Sequence, residues 1–285
     1  MQNDAYGRRA SGKRQSSLRR AGVLAGVGLV ALVAAAGIQA ITFGENDNGR
    51  HPFVGSLVAE VDGTKLQFCS GTLVSATVFV TAGHCLAGTE GIPIWVTFDE
   101  VIDDQPIDGV VDSGVTLYDG TAYVHPQFGF PGGGGNAADP HDVAVFVLDQ
   151  PLGGPYGELP GAGQLDRTDK RTARFTTVGY GTVRDDKTKS FASLALGTRR
   201  KMVTQSMESL TNAWVQFSMN PSTGSGGTCY GDSGGPHFLG AGANETRVVL
   251  AVTVTGDRWC RATDRDYRLD TQSARAFLDD FVPVP

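Results

Sequence analysis

The spacing of apolar residues constrains the fold of this chain more than any other feature. Between residues 41 and 270 no helical periodicity is sustained, and short apolar segments alternate with turn signals such as Asp62-Gly63 about every ten residues. The 39 glycines and 13 prolines follow no three-residue period, so they indicate turns and exclude a collagen-like chain. We therefore predict an all-β protein. The predicted strands are Phe53–Val61, Leu66–Phe68, Thr72–Ser75, Val78–Thr81, Ile94–Phe98, Tyr123–Val124, Val143–Leu148, Phe175–Gly179, Trp214–Met219 and Arg247–Thr255.

One helix is expected, at the C-terminal end. Phe277, Leu278, Phe281 and Val282 share one face of a helical segment over 271–282, and Asp270-Thr271 precedes it as a capping pair. Two segments rich in glycine and proline, 130–140 and 150–163, predict connections. The second lies near the middle of the chain and is the predicted domain boundary, with one domain over 41–155 and the other over 156–285.

The first 40 residues have the composition of an export signal. Six basic residues precede position 21, and an uncharged segment of twenty residues follows and ends at Ala40. We predict a cleaved signal peptide and a secreted protein; the alternative is a retained anchor, and a membrane is expected as a partner only in that case. Export implies an oxidising compartment, and the four cysteines are an even number, as two disulfides require. Their spacing alone leaves three connectivities open.

Charge and residue spacing exclude several function classes. The formal net charge is −6, and without the first 40 residues 18 basic residues remain against 29 acidic ones. Such an acidic body lacks the basic surface of a nucleic-acid-binding protein. No CxxC pair is present, and the five histidines show no HxxxH spacing, so we predict neither a metal site nor a cofactor.

Three short segments carry a specific signal. They are Thr81-Ala-Gly-His-Cys85, His141-Asp-Val-Ala-Val-Phe-Val-Leu148 and Cys229-Tyr-Gly-Asp-Ser-Gly-Gly-Pro236. Together, in this order, they resemble the trypsin/chymotrypsin family of serine endopeptidases, and the resemblance extends over most of residues 41–285. It implies two packed six-stranded antiparallel β-barrels with a C-terminal helix, and a monomer that cleaves protein or peptide substrates in the cleft between the barrels.

Chemistry explains why these residue types recur together. A serine hydroxyl is a weak nucleophile near neutral pH and needs a nearby base, and a histidine serves if a carboxylate fixes its tautomer and stabilises its cation. The resemblance assigns these roles to Ser233, His84 and Asp142; on sequence alone Asp139 is an alternative to Asp142. The glycines around Ser233 allow a sharp turn in which the N–H groups of Gly231 and Ser233 form an oxyanion hole.

The resemblance also implies several structural pairs. Cys69 is expected to bridge Cys85, and Cys229 to bridge Cys260. In the family, a newly exposed apolar amino terminus pairs with the aspartate before the nucleophile, which is Asp232 here. A cut after Ala40 exposes Ile41, so we hypothesise that signal cleavage itself creates the activating end.

The expected substrate pocket departs from the family pattern. The residue six positions before the nucleophile, at the base of the pocket, is Gly227 instead of an aspartate. Val254 stands where a serine is usual, Gly256 is placed in the pocket wall, and Asp264 and Asp266 come near the far wall. Asp266 is the candidate for restoring a negative pocket; the alternative is a solvated loop carboxylate. The rival function is a catalytically weak or inactive binding module that retains this fold.

Overall fold

The computed structural model describes residues 41–104, 108–129, 138–184, 194–195 and 197–285. The predicted signal segment 1–40 and most of the glycine-rich connection 130–140 lie outside these residues. Within them, the helices are too short to cross a membrane.

The first antiparallel sheet has six strands and curls into a barrel. Its strand order is β5-β2-β3-β4-β7-β6. The two edges meet where Tyr118, just before β6, pairs with Val96 of β5 through two backbone hydrogen bonds of 3.0 and 2.8 Å. Because these bonds join the ends of the sheet, its apolar face is closed into a core. The elements are β2 (Val54–Val61), β3 (Thr64–Leu73), β4 (Val78–Thr81), helix α1 (Gly83–Leu86), β5 (Ile94–Thr97), β6 (Gly120–Val124) and β7 (Ala144–Leu148).

The second sheet is larger and also closes. Its order is β1-β11-β8-β14-β15-β16-β13-β12. β11 and β12 are separated only by Ser206, so they are two parts of one bent strand, and the sheet closes through it. Six strands therefore form this barrel, and β1, from the N-terminal segment, is added at its edge. The strands are β1 (Glu45–Asn46), β8 (Phe175–Gly179), β11 (Lys201–Gln205), β12 (Met207–Leu210), β13 (Trp214–Ser218), β14 (Pro236–Leu239), β15 (Val249–Gly256) and β16 (Thr263–Arg268), and a separate ribbon pairs β9 (Val183–Arg184) with β10 (Leu194–Ala195).

The prediction of an all-β fold with two barrels and a C-terminal helix is confirmed. Helix α2 spans Gln272–Asp279, shorter than expected, and the Thr271 hydroxyl caps it by accepting from the N–H of Ala274 at 3.2 Å. Phe277 and Leu278 are buried as predicted. β1 lies within the predicted first domain, 41–155, but it pairs with β11 of the second barrel.

Two disulfides join the cysteines as the resemblance implied. Cys69 in β3 is bonded to Cys85 in α1, and Cys229 is bonded to Cys260. The first bridge ties α1 to the first barrel. The second closes a loop of the second barrel that contains the segment around Ser233.

Candidate active site

His84 and Asp142 are in direct contact at one end of the first barrel. His84 lies in α1, and Asp142 lies two residues before β7. The Asp142 carboxylate accepts from the backbone N–H of His84 at 2.9 Å and lies 3.0 Å from ring atom Nδ1. Asp142 is fully buried, while the imidazole keeps 28% of its surface exposed. The carboxylate therefore fixes the ring through Nδ1, while part of the ring surface stays exposed.

Gly83 makes this contact possible. A Cβ at position 83 would lie 2.7 Å from the Phe128 ring and 3.1 Å from Asp142 Oδ1. Both distances are shorter than ordinary van der Waals contact, so a side chain here would push the carboxylate away from His84.

Ser233 belongs to the second barrel and lies against the first. Its carbonyl oxygen accepts from the Ser70 N–H at 2.7 Å, and Ser70 lies in β3 of the first barrel. Cys85 Sγ is 3.6 Å from the Ser233 carbonyl oxygen and 3.9 Å from His84 Nε2. Gly234 has a φ of +79°, and a Cβ there would collide with Thr81. The loop thus reaches the first barrel only because residue 234 is glycine.

The turn before Ser233 is held from the first barrel. The Gly231 carbonyl accepts from Gln67 Nε2 at 2.8 Å and from Ser70 Oγ at 3.1 Å. Gly231 has a φ of +94°, which favours glycine. Among the described residues, the N–H groups of Gly231 and Ser233 have no acceptor. Gln67 and Ser70 were missed by the sequence analysis, because ordinary strand residues give no signal of contacts made across the barrels.

A cavity of about 170 Å³ adjoins Ser233. Val254 and Gly256, two of the residues predicted for the substrate pocket, line it together with Thr228, Tyr230, Thr253 and Asp257. Gly227 and Asp266 are absent from its lining. The side chains of Met219 and Gln205 pack against Gly227: a Cβ at position 227 would collide with Met219 Cγ and lie 2.9 Å from Gln205 Nε2.

Ile41 and Asp232 are both fully buried. The next residue, Thr42, pairs with Gly227 through backbone hydrogen bonds of 2.8 and 3.1 Å. The Asp232 carboxylate accepts from the N–H groups of Gly181 at 2.7 Å and Cys229 at 2.9 Å. Burial nevertheless raises the pKa of Asp232 to about 7.

Behind the cavity lies a group of three fully buried ionisable residues, His237, Asp264 and Asp266, which we call the buried acid cluster. Asp266 is neither in the cavity lining nor in a solvated loop, because it lies in β16 with its carboxylate 3.2 Å from His237 Nε2. Burial, and secondarily the charge of Asp266, raises the pKa of Asp264 to about 7, whereas burial lowers that of His237 to about 4. The signal for this cluster was the alternation Asp264-Arg265-Asp266, which places both carboxylates on one face of a strand.

Comparison with known proteins gives a consistent assignment. The family model described as Trypsin matches residues 41–276. A protein named Trypsin from Saccharopolyspora erythraea is 30% identical over 203 residues, which cover 69% of this chain and 80% of that protein.

Proposed function

This chain belongs to the trypsin family, and on that premise we propose that it is a secreted serine endopeptidase that uses His84, Asp142 and Ser233. The observation that carries the proposal is the buried Asp142 carboxylate bonded both to the ring and to the backbone N–H of a partly exposed histidine. A buried carboxylate that orients a histidine through Nδ1, while the ring stays partly exposed, is the arrangement that a general base requires.

The proposed reaction is acyl transfer. Asp142 accepts a hydrogen bond from Nδ1–H of His84, so Nε2 is the unprotonated nitrogen that removes the Ser233 hydroxyl proton as the oxygen attacks the substrate carbonyl. The N–H groups of Gly231 and Ser233 donate to the resulting oxyanion. His84 then returns the proton to the leaving amine, and water hydrolyses the acyl-enzyme by the same steps.

The pocket proposed for the substrate side chain is the cavity beside Ser233. Thr228, Thr253 and Val254 belong to its lining, and the hydroxyl groups of the two threonines are engaged by Asp264 and His237. The one carboxylate of the lining, Asp257, accepts hydrogen bonds from the N–H groups of Trp259, Arg261, Ala262 and Thr263. Its charge is therefore engaged by its own loop.

Activation is proposed to follow signal cleavage after Ala40. Ile41 is buried, and the described residues offer Asp232 no Lys or Arg partner. A new ammonium at Ile41 would compensate that carboxylate, since a buried charge is tolerated only with a partner. Sequencing the amino terminus of the secreted protein tests this step: we expect it to begin at Ile41, and any other first residue contradicts it.

Activity is tested by the hydrolysis of a random peptide library. We expect Ser233→Ala to lose at least about 10⁴-fold in kcat/KM, and Asp142→Asn about as much, because its amide no longer fixes the tautomer of His84. Ser222→Ala, at an exposed serine, is the matched control and should keep full activity. Asp139→Asn should lose far less than Asp142→Asn, because Asp139 accepts from the Tyr267 hydroxyl at 3.1 Å and makes no hydrogen bond to His84.

Equal rates for the wild type and Ser233→Ala, in folded protein, would contradict the proposed mechanism. That result would favour a non-catalytic binding module with the same fold.

A further inference from the structure

The buried acid cluster has more negative charge than its surroundings compensate. Asp264 and Asp266 are fully buried, and in the described part of the chain no Lys or Arg forms an ion pair with either. The carboxylate of Asp266 faces that of Asp264 and the Val254 N–H, yet neither of its oxygens has a hydrogen bond of normal geometry. A buried carboxylate left in this way is costly, so it indicates a missing positive partner.

His237 presents a lone pair to these carboxylates. Its Nδ1 lies 2.8 Å from the Thr177 hydroxyl, and that hydroxyl donates to Gln205 Oε1 at 2.5 Å. Since the hydroxyl proton is used toward Gln205, Nδ1 of His237 must be the donor to Thr177. The neutral ring then has an unprotonated Nε2, which lies 3.0 Å from the Thr253 hydroxyl and 3.2 Å from Oδ1 of Asp266.

Asp264 is oriented by a complementary set of donors. One of its oxygens accepts from Gln205 Nε2 at 2.8 Å, and the other accepts from the Thr228 hydroxyl at 2.5 Å. Gln205 therefore connects His237, through Thr177, to Asp264. Metal ligands in proteins are commonly held in a fixed orientation by hydrogen bonds of this kind from neighbouring residues.

We propose that His237, Asp264 and Asp266 bind one divalent transition-metal ion, for which Zn²⁺ is the suitable probe. One imidazole nitrogen and two carboxylate oxygens are ligands that Zn²⁺ accepts, and the ion neutralises both carboxylates. The three ligand atoms lie within 4.8 Å of one another, and Nε2 of His237 is 3.2 Å from Oδ1 of Asp266. The ligand atoms of tetrahedral zinc lie roughly 3.4 Å apart, so the longer separations in the cluster must shorten when the ion binds.

Two residues of the cavity lining are in direct contact with the proposed metal ligands. Thr228 lines the cavity and donates to Asp264, and Thr253 lines it and lies 3.0 Å from His237 Nε2. A bound ion would therefore hold the inner wall of the cavity in place. The site itself depends on no step of the proposed catalysis.

The test uses the secreted protein purified without a polyhistidine tag. We expect mass-spectrometric metal analysis to find one Zn²⁺ per chain after exposure to Zn²⁺ and dialysis. The Tm of chelator-treated protein should rise by roughly 5 to 10 °C at a free Zn²⁺ concentration one hundred times the Kd. Neither readout requires enzymatic activity.

Two variants and a control locate the ion. Asp266→Asn is isosteric and should lose both the bound Zn²⁺ and the Tm rise, and His237→Gln should do the same. Asp280→Asn, at an exposed aspartate next to the end of α2, should behave as the wild type. Near-ultraviolet circular dichroism establishes that each variant is folded.

The proposal is overturned if the wild type binds no Zn²⁺ and its Tm is the same with Zn²⁺ and with chelator. That result would mean that Asp264 and Asp266 share a proton instead of a metal ion. It is also overturned if folded Asp266→Asn binds Zn²⁺ as the wild type does.

Discussion

Two groups of ionisable side chains in this protein each contain one histidine and two carboxylates, yet their pKa values are shifted in opposite directions. The first, which we call the N-terminal ion network, consists of Asp47, His51, Arg200 and Glu245. The His51 ring lies between the two carboxylates, with Nε2 2.5 Å from Glu245, and Arg200 Nε lies 2.9 Å from Asp47. The second is the buried acid cluster, in which two carboxylates meet one neutral imidazole.

The pKa values of the two groups shift in opposite directions. In the N-terminal ion network, burial alone would raise the pKa of Asp47, but hydrogen bonds from His51 and Arg200 lower it to about 2. Burial would lower the pKa of His51, and its bonds to Asp47 and Glu245 raise it. In the buried acid cluster, burial prevails: the pKa of Asp264 rises to about 7, and that of His237 falls to about 4. Burial therefore suppresses charge only where no opposite charge is in contact.

The two groups also differ in what they connect. The N-terminal ion network joins the N-terminal segment to both barrels. Arg200, which directly precedes β11 of the second barrel, pairs with Asp47 and also donates to the carbonyls of Val54 and Phe98 in the first barrel at 3.0 Å. It stabilises the segment that leads to Ile41. The buried acid cluster lies beside the cavity that adjoins Ser233, and among the described residues no Lys or Arg forms an ion pair with its carboxylates.

The largest effect is expected from breaking the N-terminal ion network. Arg200→Met should lower the free energy of unfolding by about 3 to 5 kcal/mol, because it removes a buried cation and leaves Asp47 and two carbonyl oxygens short of donors. Urea unfolding measures this loss. Arg247→Met is the control: its ion pair with Glu158 is half exposed, so it should cost no more than about 1 kcal/mol. Equal losses in the two variants would remove the distinction between paired buried charges and surface pairs.

An intermediate effect is expected from pH, with opposite signs in the two groups. Asp264 binds its proton more tightly in the folded chain, so its contribution to stability is complete below pH 3.8 and is lost as the pH rises through about 7. Asp47 behaves in the opposite way, since its contribution is present above pH 3.8 and is lost as the pH falls through about 2. The groups that face Asp264 are Asp266 and His237, with Asp232 nearby.

Urea unfolding of chelator-treated protein between pH 5 and 8 measures this dependence. The contribution of Asp264 should fall with rising pH, with a slope of up to about 1.4 kcal/mol per pH unit. Below pH 6.5 the lowered pKa of His237 contributes with the opposite sign, so the fall is read from the difference between the wild type and Asp264→Asn. Asp264→Asn should flatten the slope. A slope unchanged in that variant would show that Asp264 is not the group that titrates.

The smallest effect is expected from Asp266→Asn in metal-free protein at pH 7. Because this carboxylate has no hydrogen bond of normal geometry to lose, replacing it should change the free energy of unfolding by less than about 1 kcal/mol. Urea unfolding again provides the measurement. A loss of 3 kcal/mol or more would mean that Asp266 is as well compensated as Asp47.

The sequence predicted those elements in which local pattern and tertiary environment agree. Ala144–Leu148 and Phe175–Gly179 are strands whose residues are nearly all buried, and they lie within one residue of the predicted bounds. Thr271 caps the helix that its position suggested. β16 was missed because its sequence, Thr-Asp-Arg-Asp-Tyr-Arg, places carboxylates on the buried face, the reverse of the usual pattern. β11 was missed for a similar reason, since Lys201 is buried at its start.

The site was predictable to the extent that its residues occur in short motifs. His84, Asp142 and Ser233 were named because their immediate neighbours are distinctive. The contacts that hold the Gly231 turn come from Gln67 and Ser70, and the metal ligands proposed here come from β14 and β16. These residues come into contact only when the barrels fold, so their spacing along the chain does not predict that they are close together.

The central claim is that Ser233 is an activated nucleophile, and covalent labelling tests it most directly. A fluorophosphonate probe should form an adduct with the purified protein, and tandem mass spectrometry of a digest should locate it on Ser233. His84→Ala, which retains the serine and removes the base, should label far more slowly. Folded protein that forms no adduct, or whose adduct lies on another residue, would contradict the account.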